Sequence, residues 1–350
     1  MPALAVADAL RAEGAEVVFV GGDRAERELV PAAGYELRAL RVVPLPRRRP
    51  LKAAQAGLIA AGAVREARRI LRQVRPSAVL GGGGYVAGPV GLSAVLSRTP
   101  LVLTEADSHL GLTNRILAPF ARRVCLSFPI SNKGGPRYVL TGRPVPPPAT
   151  DREAARARFA IGPSESCVLV FGGSQGARSI NRAAVEAFAG ARFRVLHAAG
   201  ERDRHDLVAP GEHYDLRGYI SHFGEALLAS DLVVARAGGS IFEIAAHGKP
   251  AVLVPYPYAT GDHQTSNASF MERAGAATII PDRELTPARL AGEVGRLLAD
   301  PGRLAAMARA SAALARPHAA RDIAHELLAA PVELSVALRR GDDTSRRRYR

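Results

Sequence analysis

Apolar and polar positions follow one repeating order along the chain. A short β-branched run leads into a glycine turn, and then apolar residues recur at helical spacing. Each such unit predicts strand, turn and helix. In the first half, Glu16–Val20, Ala78–Leu80, Leu101–Leu103 and Val124–Leu126 read as strands. In the second, Cys167–Phe171, Phe193–Leu196, Leu232–Ala235, Ala251–Pro255 and Ala277–Ile280 do. Strands alternating with helices predict an α/β protein with parallel sheets covered on both faces. The start of the chain is different. Pro2 suits a first helical turn, and Ala3, Leu4, Val6, Ala7 and Leu10 form one apolar face before Gly14. The first element is therefore expected to be a helix, with no strand and glycine turn ahead of it.

The segment Arg143-Pro144-Val145-Pro146-Pro147-Pro148 cannot continue a helix or a central strand and reads as a stiff linker. It divides the chain into an N-terminal domain (1–143), a linker (144–151) and a second domain (152–316). A kink is expected at Arg316-Pro317, setting off a C-terminal helix (317–330), and the Arg-rich tail (331–350) is expected to be disordered. The expected architecture is two Rossmann-like, doubly wound parallel-sheet domains facing across a cleft. Ligands in such sheets sit beyond the carboxyl ends of the strands.

Composition narrows the chemistry. With 47% hydrophobic and 23% charged residues the chain can build packed cores, which excludes global disorder. Cys125 and Cys167 are the only cysteines and share no motif, so neither a disulfide framework nor a Cys-based metal site is expected. The formal charge of +14 favours an acidic partner: nucleic acid, anionic lipid or a diphosphate. The basic stretch Arg41–Lys52 mixes cationic with apolar residues and leads into a helix bearing Arg65, Arg68, Arg69 and Arg72. That mixture suits an anionic membrane surface as well as a solvated face. Aromatics total 5% and none interleave with this stretch, which argues against nucleic acid. No signal-peptide pattern and no run approaching ~18 apolar residues is present. The expectation is a cytosolic protein that at most rests on a membrane.

Candidate chemistry gathers where strands meet glycines. Gly172-Gly173-Ser174-Gln175-Gly176-Ala177-Arg178 follows an apolar strand and opens a helix, an arrangement suited to a diphosphate because glycines admit close approach and helix N-termini present free N–H groups. Arg236-Ala237-Gly238-Gly239-Ser240 repeats the pattern. Ser240 and Glu243 have capping-box spacing, so they either cap this helix or Glu243 accepts ribose hydroxyls. Gln264 and Asn267 supply amides suited to sugar hydroxyls, while Asp262 is expected to cap their helix. In the first half, Gly81–Pro89 is another strand–glycine–helix junction. Thr104–Arg115 concentrates Glu105, Asp107 and His109, where a carboxylate is placed to act as general base and His109 reads as structural.

Taken together, these segments resemble the MurG family of GT-B-fold glycosyltransferases. The resemblance rests on Pro2–Ala7, Gly83–Pro89, Gly111-Leu112-Thr113-Asn114, Gly172–Arg178, Arg236–Gly238, and Asp262-His263-Gln264 with Asn267-Ala268. It implies inverting, metal-independent transfer of GlcNAc from UDP-GlcNAc to the C4 hydroxyl of MurNAc in undecaprenyl-diphosphate-linked MurNAc-pentapeptide, with no cofactor. The enzyme is then expected on the cytoplasmic side of the cell membrane. On the donor side, the resemblance puts Ser174, Gln175 and Gly176 by the diphosphate and Ile220 by the uracil. Glu243 falls by the ribose and Gln264 by the sugar, with Gly239 and Ser240 also in the donor site. Gly83, Gly84, Tyr85 and Asn114 are assigned to the lipid diphosphate acceptor, and the basic stretch at 41–72 to the membrane. Two other readings remain open at this point: a UDP-sugar epimerase of the same fold, and a UDP-sugar or lipid-diphosphate binding protein without catalysis.

The chain also departs from the family. A Gly-Gly-x-x-Gly-His loop, carrying the family's expected base, belongs just before the segment matching Pro2–Ala7, and the sequence begins after it. Glu105 and Asp107 are the carboxylates left to serve. Pro146 stands where the family often has Arg. On this reading the first strand is missing, and a slot is expected between the Glu16–Val20 and Ala78–Leu80 strands.

Overall fold

The structure is a computed structural model that describes residues 2–22, 25–40, 50–173 and 176–330; the side chains of 50–60, Tyr85 and Thr260 lie outside the described set. Two compact units form. One contains the chain up to Pro144 together with the segment from His318, and the other is Val145–Pro317.

The first unit runs α1 (Pro2–Ala12), β1 (Val18–Gly21), α2 (Glu26–Ala32), β2 (Glu36–Ala39), α3 (Pro50–Val74), β3 (Val79–Gly81) and α4 (Gly84–Leu96). It continues through β4 (Leu101–Glu105), α5 (Leu112–Leu117), β5 (Arg123–Leu126) and β6 (Tyr138–Leu140). Its strands are all parallel but fall into two sheets, β2–β1 and β3–β4–β5–β6. Among the described residues β1 and β3 are not hydrogen-bonded to each other or to a common strand. The same helix covers both pieces. On α1, Val6 packs with Val102 and Cys125, while Ala7 packs with Val30 and Tyr35. On the other face α3 and α4 contribute Ala67, Ile70, Val90 and Ala94 to a core with Leu101, Leu103 and Val124.

The second unit begins with α6 (Arg152–Arg158), β7 (Cys167–Phe171), α7 (Arg178–Ala187), β8 (Arg194–Ala198), α8 (Glu201–Arg204) and β9 (Tyr214–Arg217). It then runs α9 (Phe223–Ala229), β10 (Leu232–Ala235), α10 (Ile241–Ala246), β11 (Ala251–Leu253), α11 (His263–Arg273), β12 (Ala277–Ile279), α12 (Pro287–Leu298) and α13 (Pro301–Ala313). The six parallel strands are ordered β12–β11–β10–β7–β8–β9. That order reverses between β7 and β10, the switch point at which open α/β sheets bind ligands. Every residue of β7 and β10 is buried, as central strands covered on both faces require. Helix starts follow their sequence signals: Thr286 and Asp300 cap α12 and α13 through the N–H groups of Arg289 and Arg303, with Pro287 and Pro301 in first position.

After α13 the chain breaks at Arg316-Pro317 and resumes as a helix over 319–330, α14. This helix returns to the first unit, where Ile323, Ala324 and Leu327 pack with Val102 and Cys125, and Arg123 pairs with Glu326 at 2.9 Å. Both cysteines are buried free thiols, and burial pushes each up to about 12.

One polar group sits deep in the second unit. His197 on β8 is fully buried between Tyr214 Oη at 2.8 Å and Asn181 Oδ1 at 3.1 Å. Burial pushes it down to about 3, so the folded protein keeps it neutral while an unfolded His, near 6.5, takes up a proton. Stability contributed here is therefore complete above about pH 6.5 and declines as the pH falls toward 3, at up to about 1.4 kcal/mol per pH unit. We expect His197→Gln to flatten the fall of the urea midpoint between pH 6.5 and 4 relative to the wild type. An unchanged slope would mean that His197 is not the titrating group.

Candidate active site

The glycine loop after β7 is defined by close packing. A Cβ on Gly172 would lie 2.3 Å from Ala177 Cβ and 2.4 Å from its nitrogen. Gly176 has φ +73°, and a Cβ there would fall 2.1 Å from Ala199 O at the end of β8. No other residue fits at either position. The loop turns through a Gly176 N–H to Gly173 O bond of 2.9 Å and delivers Ala177 as the N-cap of α7, with no side chain capping the helix. The first-turn N–H groups of α7 and its positive dipole end thus open at the switch point. Ser174 and Gln175 lie outside the described residues.

Beside this loop is a pocket of about 590 Å³ in the second unit, lined by Gly172, Gly176, Arg178, Arg202, Arg236, Tyr256, Tyr258 and Gln264 among others. Arg236, at the exit of β10, is its central strut. Its guanidinium donates to Val254 O and Pro255 O at 3.1 Å, to Asp282 Oδ1 at 2.6 Å and to Ser179 Oγ at 2.7 Å. The Ser179 hydroxyl in turn donates to Asp282 Oδ1 at 2.7 Å. One buried arginine thereby ties the ends of β10 and β11 to the first turn of α7, while its cation lies 5.4 Å from the Tyr256 ring. Gln264 Oε1 accepts the Tyr256 N–H at 3.0 Å, and Asn267 Nδ2 donates to Ala237 O at 3.1 Å, so the two amides hold the second and third loops.

Of the donor residues expected from sequence, Gly176 and Gln264 line this pocket. Gly239, Ser240, Glu243 and Ile220 do not; the first three are half-buried around the start of α10, and Ile220 is buried. Two capping expectations are corrected. Ser240 has helical φ/ψ and makes no side-chain cap bond. Asp262 adopts a left-handed conformation, and its carboxylate accepts the Thr265 hydroxyl at 2.6 Å instead of a backbone N–H.

In the first unit, Gly83 and Gly84 have φ +78° and +76° at the start of α4. The side chain of Tyr85 lies outside the described set. Asn114 is buried and donates to Thr104 O and Glu105 Oε2, both at 2.9 Å. A Cβ on Gly83 would stand 3.6 Å from its Nδ2. Glu105 is buried, and its carboxylate accepts the N–H groups of Asp107 at 3.1 Å and Gly111 at 2.8 Å as well as Asn114. Three donors make it the organiser of the 105–111 loop. Asp107 is half-buried, and no side-chain hydrogen bond to it is described. His109 is exposed.

Models of the Glycosyltransferase family 28 N-terminal and C-terminal domains match residues 1–126 and 167–327. A UDP-N-acetylglucosamine–N-acetylmuramyl-(pentapeptide) pyrophosphoryl-undecaprenol N-acetylglucosamine transferase from Rubrobacter xylanophilus is 39% identical over 333 residues, covering 93% of this chain and 98% of the relative. The chain belongs to the MurG family. Among solved structures, Acinetobacter baumannii MurG superposes with a TM-score of 0.77 at 27% identity, covering 93% of this chain and 95% of that one. A putative UDP-N-acetylglucosamine 2-epimerase from Listeria monocytogenes reaches a TM-score of 0.70 at 14% identity, covering 94% and 92%; at that identity it shows the shared GT-B fold alone.

Within a MurG-family protein the loop at Gly172–Arg178 is the part most sensitive to added atoms. Gly176→Ala is expected to force a methyl against Ala199 O in a conformation that alanine rarely adopts, and to weaken UDP binding at least about 10-fold. Isothermal titration with UDP measures this. Wild-type affinity in the variant would show that the loop does not define the site.

Proposed function

We propose that this chain transfers GlcNAc from UDP-GlcNAc to the MurNAc C4 hydroxyl of undecaprenyl-diphosphate-linked MurNAc-pentapeptide, with inversion at the sugar, in peptidoglycan synthesis. The observation that carries this reading is the glycine loop at the switch point, which opens the N-terminus of α7 onto an arginine-lined pocket. As the glycosidic bond breaks, negative charge grows on the departing UDP. Prepositioned N–H groups and guanidinium groups stabilise it without reorganisation. The amide of Gln264 stands in the same pocket to meet sugar hydroxyls. The attacking hydroxyl needs an acceptor for its proton. With Glu105 committed to three donors, Asp107 is the carboxylate we assign to that role. Gly83, Gly84 and Asn114 frame the loop at the start of α4, the expected place of the lipid diphosphate.

An assay with UDP-GlcNAc and the lipid-linked MurNAc-pentapeptide in vesicles tests this. UDP release with disaccharide formation is expected, and Asp107→Asn should lower kcat by about 10²–10⁴-fold while leaving UDP-GlcNAc affinity unchanged. Epimerised UDP-sugar formed without acceptor would establish the epimerase reading instead. Binding of UDP-GlcNAc without turnover would establish the binding-protein reading.

The same reading puts the first unit on the cytoplasmic face of the cell membrane, held to anionic lipid. No described helix is long and apolar enough to cross a membrane. On α5 and the turn after it, Leu112, Ile116 and Phe120 are exposed by 53%, 59% and 63%, with Arg115 exposed between them. On the neighbouring α4, Leu92 and Leu96 are also exposed, and Arg65, Arg69 and Arg72 are exposed on α3. Exposed apolar groups together with exposed arginines in one unit suit the headgroup region of an anionic leaflet. Residues 41–49 of the basic stretch lie outside the described residues. Replacing Ile116 and Phe120 by Glu should reduce co-sedimentation with phosphatidylglycerol vesicles about 10-fold or more and leave UDP-GlcNAc binding intact. Undiminished sedimentation would remove this face from the account.

A further inference from the structure

Behind the glycine loop lies a buried carboxylate with no part in the donor contacts described so far. Asp203, on α8, is 3% exposed. Its two oxygens accept Arg202 Nε at 2.7 Å and a terminal nitrogen of Arg202 at 3.0 Å, and Arg178 stands 3.7 Å away. The carboxyl is held below the usual carboxylate range, chiefly by the hydrogen bond from Arg202, and Arg202 is raised by the same contact.

The carboxylate is fixed from behind. Asn181 Nδ2 donates to Ala199 O at 2.8 Å and reaches Asp203 Oδ2 at 3.3 Å. Asn181 Oδ1 accepts from His197, which accepts in turn from the Tyr214 hydroxyl. Because burial keeps His197 neutral, one tautomer satisfies the chain, with every donor pointing from the sheet core toward Asp203. The carboxylate also abuts the loop: a Cβ on Gly176 would lie 3.4 Å from Oδ2.

In front of it, the side chains of Arg178 and Arg202 are 60% and 56% exposed, and both line the pocket. The third arginine there, Arg236, is buried and turned to Asp282, Ser179 and two carbonyls. Arg178 and Arg202 are thus the pocket's arginines exposed toward a ligand. Planar guanidinium groups match phosphate oxygens bidentately, and an anchored side chain loses less freedom on binding than a loose one.

We propose that Asp203 is a positioning residue that holds Arg178 and Arg202 as a paired clamp on the donor diphosphate. This rests on reading the pocket as a nucleotide-diphosphate site. Asp203 touches no ligand; it acts through the two arginines.

Isothermal titration of UDP and of uridine into the full chain tests the clamp. Arg178→Ala with Arg202→Ala should weaken UDP about 10- to 100-fold and leave uridine affinity unchanged. Asp203→Asn alone should weaken UDP several-fold, and adding it to the double arginine variant should cost nothing more. Fully additive losses, or tighter UDP binding by Asp203→Asn, would overturn the proposal. The arginine variants alter exposed side chains, so they decide the matter even if Asp203→Asn fails to fold: unchanged UDP affinity in the double variant overturns the clamp. A wild type that binds neither ligand would instead overturn the donor-site reading beneath it. Wild-type UDP binding that the arginine variants leave intact overturns the clamp alone.

Discussion

The contact between Gly176 and the carbonyl of Ala199 governs the geometry of the second unit's site. A loop that must leave β7, turn sharply and start a helix within a few residues has nowhere to put a side chain at this point. Because the loop presses on the end of β8, α7 starts beside the switch point between β7 and β10, with its unpaired N–H groups facing outward. Everything else in the pocket is arranged around that helix end. Arg236 locks it to the exits of β10 and β11 through Ser179 and Asp282, and Asp203 meets the loop from the side of β8. A site of this kind is held rigid by packing and by buried polar bonds. That rigidity is what electrostatic stabilisation of a departing diphosphate requires.

The first unit shows the same design in a less closed form. Its sheet is in two pieces under a shared helix layer, and its loop at Gly83-Gly84 is braced by Asn114 and Glu105. The buried carboxylate of Glu105 is consumed in shaping that loop. This separates two roles that an acid-rich segment can play, holding a loop and accepting a proton. The exposed apolar residues of α4 and α5 belong to this same unit, which suits an acceptor that arrives on a lipid.

Much of this was legible in the sequence, and what was missed follows a physical pattern. The central strands β7 and β10 announce themselves as unbroken apolar runs because both faces are buried. The strands that went unread are β2, β6 and β9, and all three lie at sheet edges; Glu36, Arg38, Asp215 and Arg217 interrupt the apolar signal of β2 and β9, and β6 is only three residues long. The return of α14 to the first unit was equally hidden, since nothing local records where a helix docks. The glycine loops were legible because their residue type answers a local backbone demand. Arg236 and Asp282 were not, since their pairing spans 46 residues, and neither was the link from Asp203 to His197 through Asn181. The capping spacing of Ser240 with Glu243 misled for the converse reason: a local pattern gave way to a backbone already helical at Ser240.

The central claim is that the donor diphosphate lies on the N-terminus of α7. A crystal structure of the chain with UDP-GlcNAc bound tests it most directly. The account predicts phosphate oxygens within hydrogen-bond distance of the backbone N–H groups at Gly176–Ser179, with the guanidiniums of Arg178 and Arg202 beside them. A diphosphate bound elsewhere, for instance at the start of α4 in the first unit, would contradict it.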